Sequence, residues 1–203
     1  MPAFFHGNRA RSAPLYSPAR MGPAGKPKLL LLGPSGAGKS TLAEALAKQG
    51  WLHIDLDQWE LDGLAIHKLD RQWEALSHRR DPIPLSTELS KRLDAGSHAG
   101  VVLSFPSGVV FGIELLKRVK ESGLAIAILY GSATDCFAAF ARREAAMARD
   151  LDRGHWEANS IDNLRVYSRP EFDAFRVHAF RDGFHRPLDE LAAELISRCP
   201  SEP

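Results

Sequence analysis

Leu29 to Thr41 reads LLLLGPSGAGKST, and these thirteen residues decide how the rest of the chain is understood. Gly33 to Ser40 fit G-x-x-x-x-G-K-[ST] without a mismatch, the pattern of a phosphate-binding P-loop. Glycines at 33, 36 and 38 remove Cβ atoms, so the chain can turn tightly and approach an anion closely. Successive N–H groups then face one concavity that takes a β- and a γ-phosphate. Lys39 brings a flexible positive charge to those phosphates, and Ser40 brings a hydroxyl for Mg²⁺. The expectation is an ATP site, with Mg²⁺, built from Gly33, Pro34, Ser35, Gly36, Ala37, Gly38, Lys39, Ser40 and Thr41.

The flanking residues agree with the motif. Before it, Lys28 to Leu32 is a short apolar run, as expected of a strand buried on both faces. After it, Leu42, Ala43, Leu46 and Ala47 recur at helical spacing until Gly50. Strand, glycine loop and helix N-terminus therefore follow in the order that aims a helix dipole at the phosphates.

Strand and helix patterns alternate along the remainder. Further strands are expected at Trp51–Ile54, Val101–Leu103, Leu124–Tyr130 and Arg176–Phe180. Helical faces appear at Leu85/Leu89/Leu93 and Ile113/Leu116/Val119, after the Ser132–Asp135 capping box, and from Pro187 onward. The predicted fold is α/β of the P-loop NTPase kind: a three-layer α/β/α sandwich on a five-stranded parallel sheet. Two polar stretches, Gln58 to about Lys68 and Asp150 to Ser168, show no such pattern and are expected to be irregular covers. The second gives a lid segment at about 149–168.

Composition narrows the function. At 203 residues with 44% hydrophobic content, a single domain over 28–203 with a full core is expected. Residues 1–27 carry four basic residues, five prolines and no acid, and are expected to be a disordered basic tail. Translation starting at Met21 would remove most of it. The rest of the chain has four fewer basic residues than the 26 of the whole, against 25 acidic ones, and is slightly acidic. That gives no electrostatic case for nucleic acid. No apolar run reaches membrane-spanning length. The two cysteines, Cys136 and Cys199, fit a reducing cytoplasm, and a monomer is expected.

The order of landmarks resembles small-molecule kinases of the nucleoside-monophosphate kinase type, shikimate kinases above all. Besides the P-loop, Ile54-Asp55-Leu56-Asp57 is similar to that family's D-x-D, and Arg71-Gln72-Trp73-Glu74 to its R-x-x-E. Arg169-Pro170-Glu171-Phe172 is similar to its Arg-Pro-aromatic stretch after the lid. The resemblance implies that Asp55 helps Ser40 hold Mg²⁺, and that Asp57 binds the acceptor hydroxyl. It implies that Arg71 and Arg169 grip an anionic acceptor, and that Arg142 or Arg143 stacks on adenine, Arg142 being the residue chosen. Two general rules fit these roles: Mg²⁺ needs few protein oxygens, and a carboxylate beside a hydroxyl can take its proton.

After Lys120 the chain has ten arginines and no lysine, and Arg149 and Arg153 flank the start of the lid. An arginine closing on the γ-phosphate neutralises charge in the transition state, so both are catalytic candidates with Lys39 and Asp57. The third strand ends Leu103-Ser104-Phe105-Pro106-Ser107-Gly108, without the acid that motor-type and switch-type ATPases carry there. The glycine triplet of shikimate kinases is also absent. The reading is an ATP-dependent kinase of a small, anionic, hydroxylated metabolite. The alternatives are a regulatory NTPase without such an acceptor, and a kinase of a nucleotide or macromolecule.

Overall fold

The computed structural model describes residues 25–57 and 63–199. Residues 1–24 of the expected tail and the stretch from Gln58 to residue 62 lie outside the described residues. Lys26, assigned to that tail, is tied to the domain: its Nζ donates to the carbonyls of Leu93 and Gly96 at 3.0 and 3.1 Å.

Strand β1 (Lys28–Leu32) leads through the glycine loop into helix α1 (Lys39–Lys48), and β2 (Leu52–Asp55) follows. Three helices come next: α2 (Gly63–Ile66), α3 (Asp70–Ser77) and α4 (Ile83–Ala95). Strand β3 (Val101–Ser104), helix α5 (Ile113–Glu121), strand β4 (Ala125–Tyr130) and helices α6 (Ala133–Ala146) and α7 (Arg153–Tyr167) continue the chain. A 3-10 turn, Pro170–Phe175, precedes β5 (Arg176–His178). Strands β6 (Phe180–Arg181) and β7 (Phe184–His185) then form a small hairpin before α8 (Leu188–Arg198).

The large sheet has the order β2-β3-β1-β4-β5, all parallel. Its central strand is the apolar run read first in the sequence. Leu29 and Leu31 face a layer holding Leu42, Leu46, Trp156, Leu191 and Leu195. Leu30 and Leu32 face the other, with Leu76, Leu89, Leu116 and Tyr167. Alternate side chains of a strand point to opposite faces, so a sheet covered on both sides needs an unbroken hydrophobic run. This places the glycine loop at the carboxyl edge of the middle strand, where α/β sheets open into a crevice.

Three elements differ from the sequence expectation. Within the Gln58–Lys68 stretch, expected to be irregular, the described residues form the short helix α2. The stretch Asp150–Ser168 is mostly helix: α7 spans Arg153–Tyr167, started by Asp152, whose side chain accepts from the His155 N–H. Its buried face is Trp156, Ser160, Asn163, Leu164 and Tyr167, at regular helical steps but with two polar members, so no apolar stripe marks it. The fifth strand stops at His178, and the chain from Phe180 doubles back antiparallel with Phe180 opposite His185. The hairpin turn, Asp182-Gly183, has positive φ at both residues, 53° and 78°, as a tight two-residue turn demands.

Candidate active site

The loop between Leu32 and Lys39 has the shape its glycines allow. Gly36 and Gly38 have φ of 87° and 89°, in the left-handed region that side chains avoid. A Cβ on Gly36 would collide with the Cys136 carbonyl oxygen in α6. Gly38 is also the N-cap of α1, which has no side-chain cap and no acid in its first turn. The first N–H groups of that helix are thus left to an anion, with Lys39, Ser40 and Thr41 around them.

Lys39 is 6% exposed. Its Nζ donates to the carbonyls of Gly33 (2.8 Å) and Pro34 (3.2 Å) and to Ser107 Oγ (3.0 Å). Burial lowers its pKa to about 8, against the opposing pull of the Asp57 carboxylate. Its three acceptors are all neutral, so an anion brought to the site would stabilise its charge further.

Ser107 was not singled out by the sequence. It follows β3, where an acid was noted to be missing, and its hydroxyl meets both Lys39 Nζ and Ser35 Oγ, the latter at 2.8 Å. The preceding Phe105 is buried against Trp73 and Phe111, with ring centroids 5.7 and 5.4 Å away. That aromatic packing fixes the turn that carries Ser107. The available signal was positional: Pro106-Ser107-Gly108 leaves the carboxyl end of a strand adjacent to β1.

The two acids have separate surroundings. Asp55 ends β2, and its Oδ1 accepts from Ser104 Oγ (3.1 Å) and from the Asp57 N–H (2.9 Å). Ser104 gives its hydrogen to Asp55 and so accepts from His53 Nε2, 2.9 Å away. Burial holds the His53 imidazole below its ordinary pKa. The Asp57–Asp55 bond turns the chain, so the two acids do not lie on one extended strand end. Asp57 lines the cavity beside the P-loop, and Asp55 does not line it. Burial raises the Asp57 carboxyl above its usual value, with the Lys39 charge acting against the shift.

Helix α7 grips the loop from the other side. Trp156 Nε1 donates to the Ser35 carbonyl (3.1 Å), and the Ser35 N–H donates to Ser160 Oγ (3.2 Å). One turn on, Asn163 Nδ2 donates to the Ser107 carbonyl at 3.2 Å. Trp156 is 4% exposed and anchors α7 in the core.

These elements enclose a cavity of about 540 Å³. Pro34, Ser35, Gly36, Gly38, Lys39, Ser40 and Thr41 line it, as do Asp57, Ser107, Asn159 and His185. Of the expected arginines, Arg149 and Arg143 lie on its wall. Arg153 points away, paired with Glu157 at 2.8 Å and lying over the Phe137 ring. Arg142 is replaced by its neighbour: Phe140, Arg143 and Met147 share the helical face that borders the cavity, and residue 142 lies a step of about 100° round the helix. Arg71 and Arg169 are exposed and off the cavity wall, so the structure does not bring the expected anion grip to the P-loop.

Ser40 on the cavity wall and Asp55, two residues before the cavity-lining Asp57, suit Mg²⁺, which keeps several waters and needs few protein ligands. Asp55 spends one oxygen on Ser104 and Asp57, which orients the carboxylate for an outer contact. Bound there, Mg²⁺ would neutralise phosphate charge. Among the described residues no group of three or more histidines, cysteines or carboxylates is placed to hold a metal by itself.

No protein-family model matches the chain, and no curated protein does. Solved structures do. A gluconokinase from Sinorhizobium meliloti 1021 is 21% identical over 85% of this chain and 90% of that one, with a TM-score of 0.49. An APS kinase from Mycobacterium tuberculosis, in complex with AMPPNP and APS, is 20% identical over 85% and 97%, with a TM-score of 0.48. A shikimate kinase from Acinetobacter baumannii, in complex with shikimate, is 18% identical over 84% and 91%, with a TM-score of 0.44. At these values the likeness says nothing about a substrate, and the chemistry has to be read from the cavity. Among the described residues, no helix is long and apolar enough to cross a membrane.

Proposed function

We propose that the protein is an ATP-dependent kinase that moves a γ-phosphate to a hydroxyl group of a small metabolite. The observation that carries this reading is that Lys39 and Asp57 line one cavity, the first on the phosphate loop and the second across from it. A hydrolytic NTPase would turn such a carboxylate on water, and dependence of turnover on an acceptor separates the two. A kinase uses one to orient the acceptor and take its proton as the oxygen attacks.

In this scheme the N-terminus of α1 and the glycine turn bind the phosphates, and Lys39 follows the γ-phosphate. Ser107 holds the lysine on the acceptor side, Asp57 receives the proton, and Arg149 meets charge that develops on the transferring group. An anionic acceptor belongs to the proposal through Arg71 and Arg169, which would have to swing in from the surface. Replacing Arg71 by Ala should then raise the acceptor's KM and leave that of ATP alone.

The test is ADP formation from Mg·ATP, alone and with a panel of hydroxylated metabolites that includes shikimate, gluconate and nucleosides. Turnover that depends on one acceptor supports the kinase and names its substrate. Slow hydrolysis indifferent to every acceptor, and unchanged in Asp57→Asn, would replace it with a regulatory NTPase.

A further inference from the structure

His185 belongs to no motif in the sequence, yet it touches the phosphate loop from a different element. Its Nε2 lies 2.9 Å from the Gly36 carbonyl oxygen. A carbonyl only accepts, so Nε2 carries the hydrogen and donates it. A Cβ on Gly38 would stand 3.3 Å from the same nitrogen, so the imidazole covers the loop where its two left-handed glycines lie.

The position is built. His185 ends β7, and its pairing partner Phe180 stacks on its ring with centroids 4.4 Å apart and planes 27° from parallel. Phe180 fits because residue 131 is glycine; a Cβ there would collide with the Phe180 ring. The base of the hairpin is pinned by the Arg186 N–H donating to the Ala179 carbonyl at 2.9 Å. Beyond it, the Arg186 guanidinium donates to the His178 carbonyl and to the carboxylates of Glu190 and Glu194, at 2.7 to 2.9 Å.

We infer that His185 is a positioning residue of the nucleotide site, whose Nε2–H holds the Gly36 peptide and so keeps the glycine turn in its phosphate-binding shape. The Gly36 carbonyl is drawn toward the hairpin and out of the phosphate cradle, away from the incoming anion. The role rests on the donor-site reading given above, and it concerns the phosphates and not the base.

Calorimetric titration with ATP and with inorganic tripolyphosphate, which lacks a nucleoside, tests it. His185→Ala should weaken both ligands by about fivefold, the worth of one ordinary hydrogen bond. His185→Gln places an amide N–H₂ where Nε2 stood and should restore both. His185→Asn, with its amide at the depth of Nδ1, should not. Loss of ATP affinity with tripolyphosphate within twofold of the unmodified protein would overturn the inference and leave His185 a base contact. Equal weakening in the Gln and Ala variants would overturn it too, as would no weakening in Ala. Failure of the unmodified protein to bind either ligand is a separate result, and it would remove the donor site itself.

Discussion

The Ser107 hydroxyl stands 3.0 Å from the Lys39 ammonium and 2.8 Å from the Ser35 hydroxyl, joining the turn after β3 to both ends of the phosphate loop. Ser107→Ala leaves Lys39 its two carbonyl acceptors but frees it from the acceptor side of the cavity. Turnover should fall about tenfold while ATP affinity changes by less than about threefold, since a hydrogen bond to a charged group is worth ~1.5–3 kcal/mol. Ser107→Thr should keep most of the activity. Steady-state kinetics on the three proteins, with ATP titrations, decide it.

Burial lowers the Lys39 pKa to about 8, and a phosphate placed on it restores the charged form. At pH 7 the amine is largely protonated with or without ligand, and binding moves few protons. Above pH 8 the free protein has lost that proton and the complex regains it, so ATP binding should take up a proton and weaken as pH rises further. Calorimetry at pH 7 and 8.8, in buffers of different ionisation enthalpy, measures the uptake directly. The same depression means that the unfolded chain binds more protons than the folded one between about pH 8 and the ordinary lysine value. Ligand-free stability should therefore gain from Lys39 across that window as pH increases.

Asp57 and Lys39 act on one another through the cavity. Asp57→Asn should reduce acceptor-dependent turnover by a factor of about 10²–10⁴, the usual worth of a positioned general base. Nucleotide binding should survive. Removing the carboxylate also removes the charge that supports the ammonium, so proton uptake on ATP binding should begin at a lower pH than in the unmodified protein. Calorimetry on the variant checks that shift without needing the acceptor.

The peptide groups flanking Ser35 are spoken for on both sides by α7, through Trp156 and Ser160. Ser160→Val removes the acceptor of the half-buried Ser35 N–H, at about 1 kcal/mol, and should lower the melting temperature by about 2–4 °C. Trp156→Phe keeps the ring contact with Phe137 but loses the indole N–H, and should cost about 1 kcal/mol. Because both bonds end on one residue, the double variant should depart from additivity, which thermal or urea unfolding can resolve.

The sequence carried the sheet and the phosphate loop because both depend on strictly local patterns. An unbroken apolar run such as Leu29–Leu32 reports burial on two faces, and three glycines at fixed offsets report a backbone no other residue tolerates. Helix α7 was illegible for the opposite reason: Ser160 and Asn163 face inward because they satisfy loop peptides, and polar side chains at buried positions erase the hydrophobic period. Ser107 had only a positional signal and His185 none, because their roles come from tertiary neighbours 68 and 149 residues away in sequence. Between Arg142 and Arg143, one helical step apart, spacing could not choose without a known face, and the cavity takes Arg143.

Strand β1 has Leu29, Leu30, Leu31 and Leu32 at 0% exposure, with β3 bonded on one side and β4 on the other. Local opening is rarest where backbone bonds are shielded from both edges and both faces. The phosphate loop therefore hangs from the slowest-exchanging part of the molecule, while the hairpin bearing His185 is made of two two-residue strands at the periphery. Amide hydrogens of β1 should outlast those of β6 and β7 by orders of magnitude in deuterated buffer. The protein thus divides its nucleotide site by lifetime: the phosphates meet a wall that opens only with the whole domain, and the loop's outer brace comes from a part that opens on its own.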